Sequence, residues 1–177
     1  MVNYFELYAL PVSFHPHTAN VKFKFYELSR TWHPDRFAQA DDATRAEALR
    51  MAALNNDAYK TLSNPDALMA YILRLYGMLE EEEKYNLPPD FLMEMMELNE
   101  LISEYELDPA NEEARSEATE AIESEFREWD LEVAPLTQRF NEGEHTPELL
   151  SEIKDYYFRR KYLLRIQERI ATFATPK

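Results

Sequence analysis

Two glycines in 177 residues, Gly77 and Gly143, leave this chain poorly supplied for the tight turns of a β fold. Helices need few glycines, and the apolar residues are spaced for them. Val21, Phe25, Leu28 and Trp32 are separated by steps of four, three and four, which is one face of a helix over Thr18 to Trp32. Ala48, Met51, Ala52, Leu54, Ala58, Tyr59 and Leu62 repeat with similar steps between Asp42 and Leu62. Phe91, Met95, Leu98, Ile102 and Tyr105 make a third such face. The expected fold class is all-α, with a helical hairpin early in the chain and a three-helix bundle after it.

Breaking and capping residues divide the pattern. A short first helix over residues 3–9 is stopped by Pro11, and Phe14-His15-Pro16-His17 reads as a loop. Thr18 can cap the second helix, and Asp41-Asp42 can open the third with charge suited to its positive end. Ser63 or Asn64 can cap a fourth helix, with Pro65 at a tolerated early position and Gly77 as its stop. The run Glu80-Glu81-Glu82-Glu83 and the pair Pro88-Pro89 mark a boundary. The expected domains are therefore 1–77 and 89–177, joined by a linker over 78–88. Three helices are expected in the second part: Pro89 to Glu106, Pro109 to Asn141 with a bend near Pro135, and Thr146 to Phe173.

Charge excludes some partners. Residues 1–77 carry 8 basic and 8 acidic side chains, whereas residues 78–177 carry 11 and 26, so the whole net charge of −15 lies in the second part. Such a surface is a poor binder of nucleic acid and is repelled by an anionic membrane. It suits a basic protein surface. No apolar run is long enough to span a bilayer, and the first residues do not read as a signal peptide or organellar presequence. The chain has no cysteine, which suits a reducing compartment, and the expected location is the cytoplasm.

The most distinctive local feature is Trp32-His33-Pro34-Asp35-Arg36-Phe37. A residue before proline is pushed out of the α region, so His33 should end the helix before it. Proline stiffens the turn that follows, which holds an imidazole, a carboxylate and a guanidinium at fixed positions. On the preceding helix Lys22, Tyr26 and Arg30 share a face, with Lys24 beside it. This strip is either an ordinary solvated face or a basic docking surface, and its junction with a stiff turn favours docking. No nucleophile pairs with His33 and no Gly-rich phosphate loop exists, so no catalytic residue and no cofactor are expected. His15 and His17 lack a carboxylate or cysteine partner for a metal site.

The helix opening at Pro89 has more apolar surface than a core stripe needs. Leu92, Met93 and Met96 lie off the core face, and Glu97, Glu100 and Glu104 continue beside them. The bundle could bury this second stripe. An exposed apolar patch rimmed by charge more often marks a partner site, and methionine suits an adaptable one.

Tyr4-Phe5, Leu7 and Leu10, then His33-Pro34-Asp35-Arg36-Phe37, then Asn55-Asn56-Asp57-Ala58-Tyr59-Lys60-Thr61-Leu62 closely resemble a J-domain, the module by which co-chaperones act on DnaK-class chaperone ATPases. Asp90-Phe91-Leu92-Met93-Glu94-Met95-Met96-Glu97-Leu98, with Glu100 and Glu104, is similar to the opening of the C-terminal domain of HscB-type co-chaperones, which serve iron–sulfur cluster assembly. The resemblance covers nearly the whole chain. It implies a non-enzymatic co-chaperone that stimulates a DnaK/HscA-type chaperone ATPase and delivers an IscU-type cluster scaffold protein to it. By position it assigns chaperone docking to His33, Pro34, Asp35 and Arg36, with the strip Lys22, Lys24, Tyr26 and Arg30. It assigns scaffold binding to Leu92, Met93, Met96, Glu97, Glu100 and Glu104, with Phe158 of the run Tyr156-Tyr157-Phe158 as a remaining aromatic contact. A different dedicated client, or a purely structural helical adaptor, is the alternative.

Overall fold

The computed structural model describes residues 2–174, and every regular element among them is a helix. The order is α1 (Tyr4–Leu7), α2 (Thr18–Thr31), a 3₁₀ turn (Pro34–Phe37), α3 (Asp42–Ser63), α4 (Pro65–Leu75), α5 (Pro89–Leu107), α6 (Glu112–Asn141) and α7 (Pro147–Ala174). The chain divides into two compact units, Met1–Leu79 and Glu80–Lys177.

In the first unit α2 and α3 pack together, and α3 continues against α4. One buried polar side chain, on α3, ties that helix to α2 and to the residue that follows α1. The Asn55 amide donates to the Phe25 carbonyl and to the Ser29 hydroxyl, both at 3.0 Å, and its Oδ1 accepts from the Tyr8 hydroxyl at 2.8 Å. Buried amides are expensive unless so paired. The Phe25 and Tyr59 rings stack 4.2 Å apart beside it. At the start of the chain the Tyr4 ring lies on Tyr71 at 4.7 Å, and the Tyr71 hydroxyl accepts from the Tyr4 N–H at 2.8 Å.

The caps explain the helix boundaries. Asp41 accepts from the Thr44 N–H at 2.9 Å, and Asn64 accepts from the N–H groups of Asp66 and Ala67, both at 3.0 Å. These groups have no partner inside their helices. The expected cap at Thr18 is displaced by one residue: His17 holds the cap position without a side-chain bond, and Thr18 is already helical. At the end of α4, Gly77 adopts φ 70°. Its N–H and that of Met78 return to the carbonyls of Arg74 and Leu73, a paired closure that needs a left-handed residue.

In the second unit α6 packs on both α5 and α7, and α5 also meets α7. Ile102 and Tyr105 of α5, Ile122 and Phe140 of α6, and Ile153 and Leu163 of α7 are among its buried side chains. Residues 80–88, read from the sequence as linker, lie in this unit. Tyr85 donates to Asp155 at 2.9 Å and Glu83 pairs with Lys154. Burial, then the bond to Asp155, pushes the Tyr85 hydroxyl up to about 12. α6 begins after Pro109, because Asn111 caps it by accepting from the N–H groups of Glu113 and Ala114. It then runs unbroken through Pro135. Proline removes the partner of the Leu131 carbonyl, but both residues are exposed, so water can satisfy that oxygen.

Candidate functional site

Two exposed faces carry the residues singled out above, one in each unit. In the first unit the stiff turn has the form expected of it. His33 is extended at φ −62° and ψ 128°, and Pro34 opens the 3₁₀ turn. The His33 Nδ1 faces the Asp35 N–H at 3.4 Å and its Oδ2 at 3.6 Å. The Asp35 carboxylate is otherwise open to solvent, with a side-chain exposure of 90%. Arg36 folds back so that its guanidinium donates to the Arg30 carbonyl at 3.0 Å. That carbonyl lies in the last turn of α2, where the helix supplies no partner. Arg36 thus fastens the turn to the strip as well as adding charge. The Trp32 and Phe37 rings stack across the turn at 5.8 Å.

Lys22, Tyr26 and Arg30 are exposed along α2. Lys24 differs from its companions, since it is partly buried and bound to Glu27 at 2.7 Å. Its charge is therefore half spent inside the helix. Phe23, which the helical spacing does not single out, is exposed one turn before Tyr26. The signal that would have found it is its position outside the stripe of Val21, Phe25 and Leu28. The face is better described as basic and aromatic than as basic alone.

In the second unit α5 buries Phe91, Met95, Leu98, Ile102 and Tyr105. This fills the core, and the second stripe stays outside. Leu92, Met93 and Met96 are 43%, 68% and 58% exposed. Glu97, Glu100 and Glu104 are exposed beside them. The patch stands between two depressions. A cleft of about 500 Å³ between α5 and α6 is lined by Met93, Glu94, Glu97, Glu125, Glu128 and Glu132, among others. Burial, and after it the charges of Glu128, Glu94 and Glu132, raises the Glu125 carboxyl above its usual range. A shallower and more open groove runs along α5 on the other side of Met96.

Phe158 is the departure among the candidate residues. It is only 8% exposed, and its ring lies parallel to Tyr85 at 4.3 Å. Phe158 therefore packs against Tyr85 and, unlike Leu92, Met93 and Met96, is nearly covered. Sequence spacing could not show this, because Tyr85 lay in a segment with no helical period. No group of three or more His, Cys, Asp or Glu side chains suited to a metal ion occurs among the described residues. No helix among them is long and apolar enough to cross a membrane.

Comparison with known proteins covers both units. Residues 87–171 match the family model described as the HSCB C-terminal oligomerisation domain. The chain is 31% identical over 170 residues to the co-chaperone protein HscB homolog of Vibrio parahaemolyticus, covering 96% of this chain and 95% of that protein. A homolog from Vibrio cholerae is 42% identical over 100 residues, a stretch that spans 56% of this chain and 58% of the relative's own length. Among solved structures, human co-chaperone protein HscB superposes with a TM-score of 0.78 at 28% identity, over 97% of this chain and 82% of that one.

Proposed function

Because the chain belongs to the HscB family of iron–sulfur cluster co-chaperones, we propose that it joins two partners. Its first unit docks on a DnaK/HscA-type chaperone and stimulates that chaperone's ATPase. Its second unit binds an IscU-type iron–sulfur scaffold protein and presents it to the same chaperone. The observation that carries this reading is that one chain offers both an exposed, internally braced turn at residues 33–36 and an uncovered apolar patch at Leu92, Met93 and Met96.

At the chaperone face Asp35 accepts charge-assisted hydrogen bonds from a cationic group of the ATPase. Pro34 and His33 hold it in place, and Arg36 keeps the turn against α2. Lys22, Arg30 and the remaining charge of Lys24 steer the approach, while Tyr26 supplies contact area. At the scaffold face Leu92, Met93 and Met96 are the apolar anchors, and Glu97, Glu100 and Glu104 meet basic groups around them. Phe158 supports this unit from inside. The chain's own residues perform no chemical step. Two modest affinities on one chain raise the local concentration of scaffold at the chaperone.

The test is the steady-state ATPase rate of a purified chaperone of this class, with this protein, with scaffold, and with both. Stimulation by the protein alone, and a larger rate with both than the two separate effects predict, is the expected result. A rate with both no greater than with the protein alone would remove the delivery half of the proposal.

A further inference from the structure

We infer that the scaffold-binding face does not end at Glu104 but continues along α5 to Leu107, which acts as a second apolar anchor for the same partner. This rests on the scaffold reading above and extends it by one site.

The groove on the outer side of α5 is lined by Met96, Asn99, Glu100, Ser103, Glu104 and Leu107. Met96, Glu100, Ser103 and Leu107 follow steps of four, three and four, so they form one face of the helix. Met96 belongs to the proposed patch, so the groove is continuous with it. Leu107 ends the helix and is 87% exposed. Burying a leucine is favourable, and folding leaves this one in water. The two apolar ends lie about 16 Å apart at about 1.5 Å per residue.

The floor between them is less polar than its sequence implies. The Ser103 hydroxyl donates to the Asn99 carbonyl at 2.8 Å. The Asn99 amide donates to the Met95 carbonyl at 2.8 Å and to the Tyr162 hydroxyl at 2.7 Å, and its Oδ1 accepts from Arg169 at 3.4 Å. These groups are satisfied from within, so a partner segment covering them strands few hydrogen bonds. Glu100 and Glu104 line the same groove and remain exposed. The occupant this shape and charge fit is a segment of the scaffold with an apolar side chain at each end and basic side chains between them.

The experiment measures the affinity of the full chain for a purified IscU-type scaffold by calorimetry, for four proteins: the native chain, Leu107→Ala, Ser103→Arg, and the triple alanine variant at Leu92, Met93 and Met96. Leu107→Ala should weaken binding about 3- to 10-fold, as for an interface anchor. Ser103→Arg, which fills the floor, should weaken it more than tenfold, on the order of a blocked anchor pocket. Circular dichroism should be unchanged for both. If both stay within about twofold of native while the triple variant is weakened, the extension is wrong and the patch stands. If the triple variant also binds like native, the scaffold reading itself fails, and the extension with it.

Discussion

Asp35 owes its position to its neighbours. Pro34 fixes one backbone angle, His33 turns its Nδ1 toward the Asp35 N–H, and Arg36 anchors the next residue to the Arg30 carbonyl. The carboxylate itself packs against nothing that the fold needs. Asp35→Asn keeps the shape and removes the charge, so chaperone stimulation should fall about tenfold or more, the cost of losing a charge-assisted bond of ~1.5–3 kcal/mol. The helical circular dichroism should not change, and a substituted chain that stimulates like native would end the docking role of this residue. Glu125 is the opposite case, a carboxylate held in an unfavourable setting. Burial and then Glu128, Glu94 and Glu132 raise its folded pKa above the ordinary 4.5. A raised carboxyl favours folding while it is protonated, and that advantage is lost as pH rises through the folded value. Glu125→Gln should therefore raise the melting temperature at pH 7, with the gap closing as pH falls toward 4. Equal melting temperatures at pH 7 would show that the carboxylate is not destabilising.

α5 shows what helical spacing can and cannot disclose. Phe91, Met95, Leu98, Ile102 and Tyr105 form its buried face, and that face was legible from steps of three and four. The outward Leu92, Met93 and Met96 were legible as a surplus, because a core stripe on a three-helix bundle needs only one face of each helix. Their expected consequence belongs to the helix as a whole. Alanine at all three should weaken scaffold binding more than tenfold while leaving thermal unfolding close to native, since none of the three is buried. A large loss of helical signal would mean that the stripe supports the fold. Other features were not read from the sequence, for different reasons. Phe158 has a helical position that fits a surface contact, yet the Tyr85 ring covers it. Lys24 is a different case: Glu27 lies three residues on in the same helix, so their pairing is local and could have been read from the spacing. Leu107 sits at a helix end, where periodicity stops giving information, and Pro135 lies on the solvent side of α6, where the bond it removes can be replaced.

At the scale of the molecule the two faces differ also in the reach of their electric fields. The first unit balances 8 basic and 8 acidic side chains, so the attraction of its basic strip is local. The second carries 11 and 26, so the full net charge of −15 lies in the unit that bears the α5 patch. Association guided by a local strip draws on a few charges at short range, whereas association guided by a whole acidic unit draws on a field that acts before contact. Salt separates the two. Raising ionic strength from about 0.05 M to about 0.5 M shortens the screening length from about 14 Å to about 4 Å. Stopped-flow association with a basic-faced scaffold should slow by on the order of tenfold over this range, and association with the chaperone by only a few-fold. Dissociation rates, governed by the apolar anchors and the braced turn, should change much less. A scaffold association rate that does not respond to salt would mean that the acidic excess keeps the protein soluble but plays no part in finding its partner.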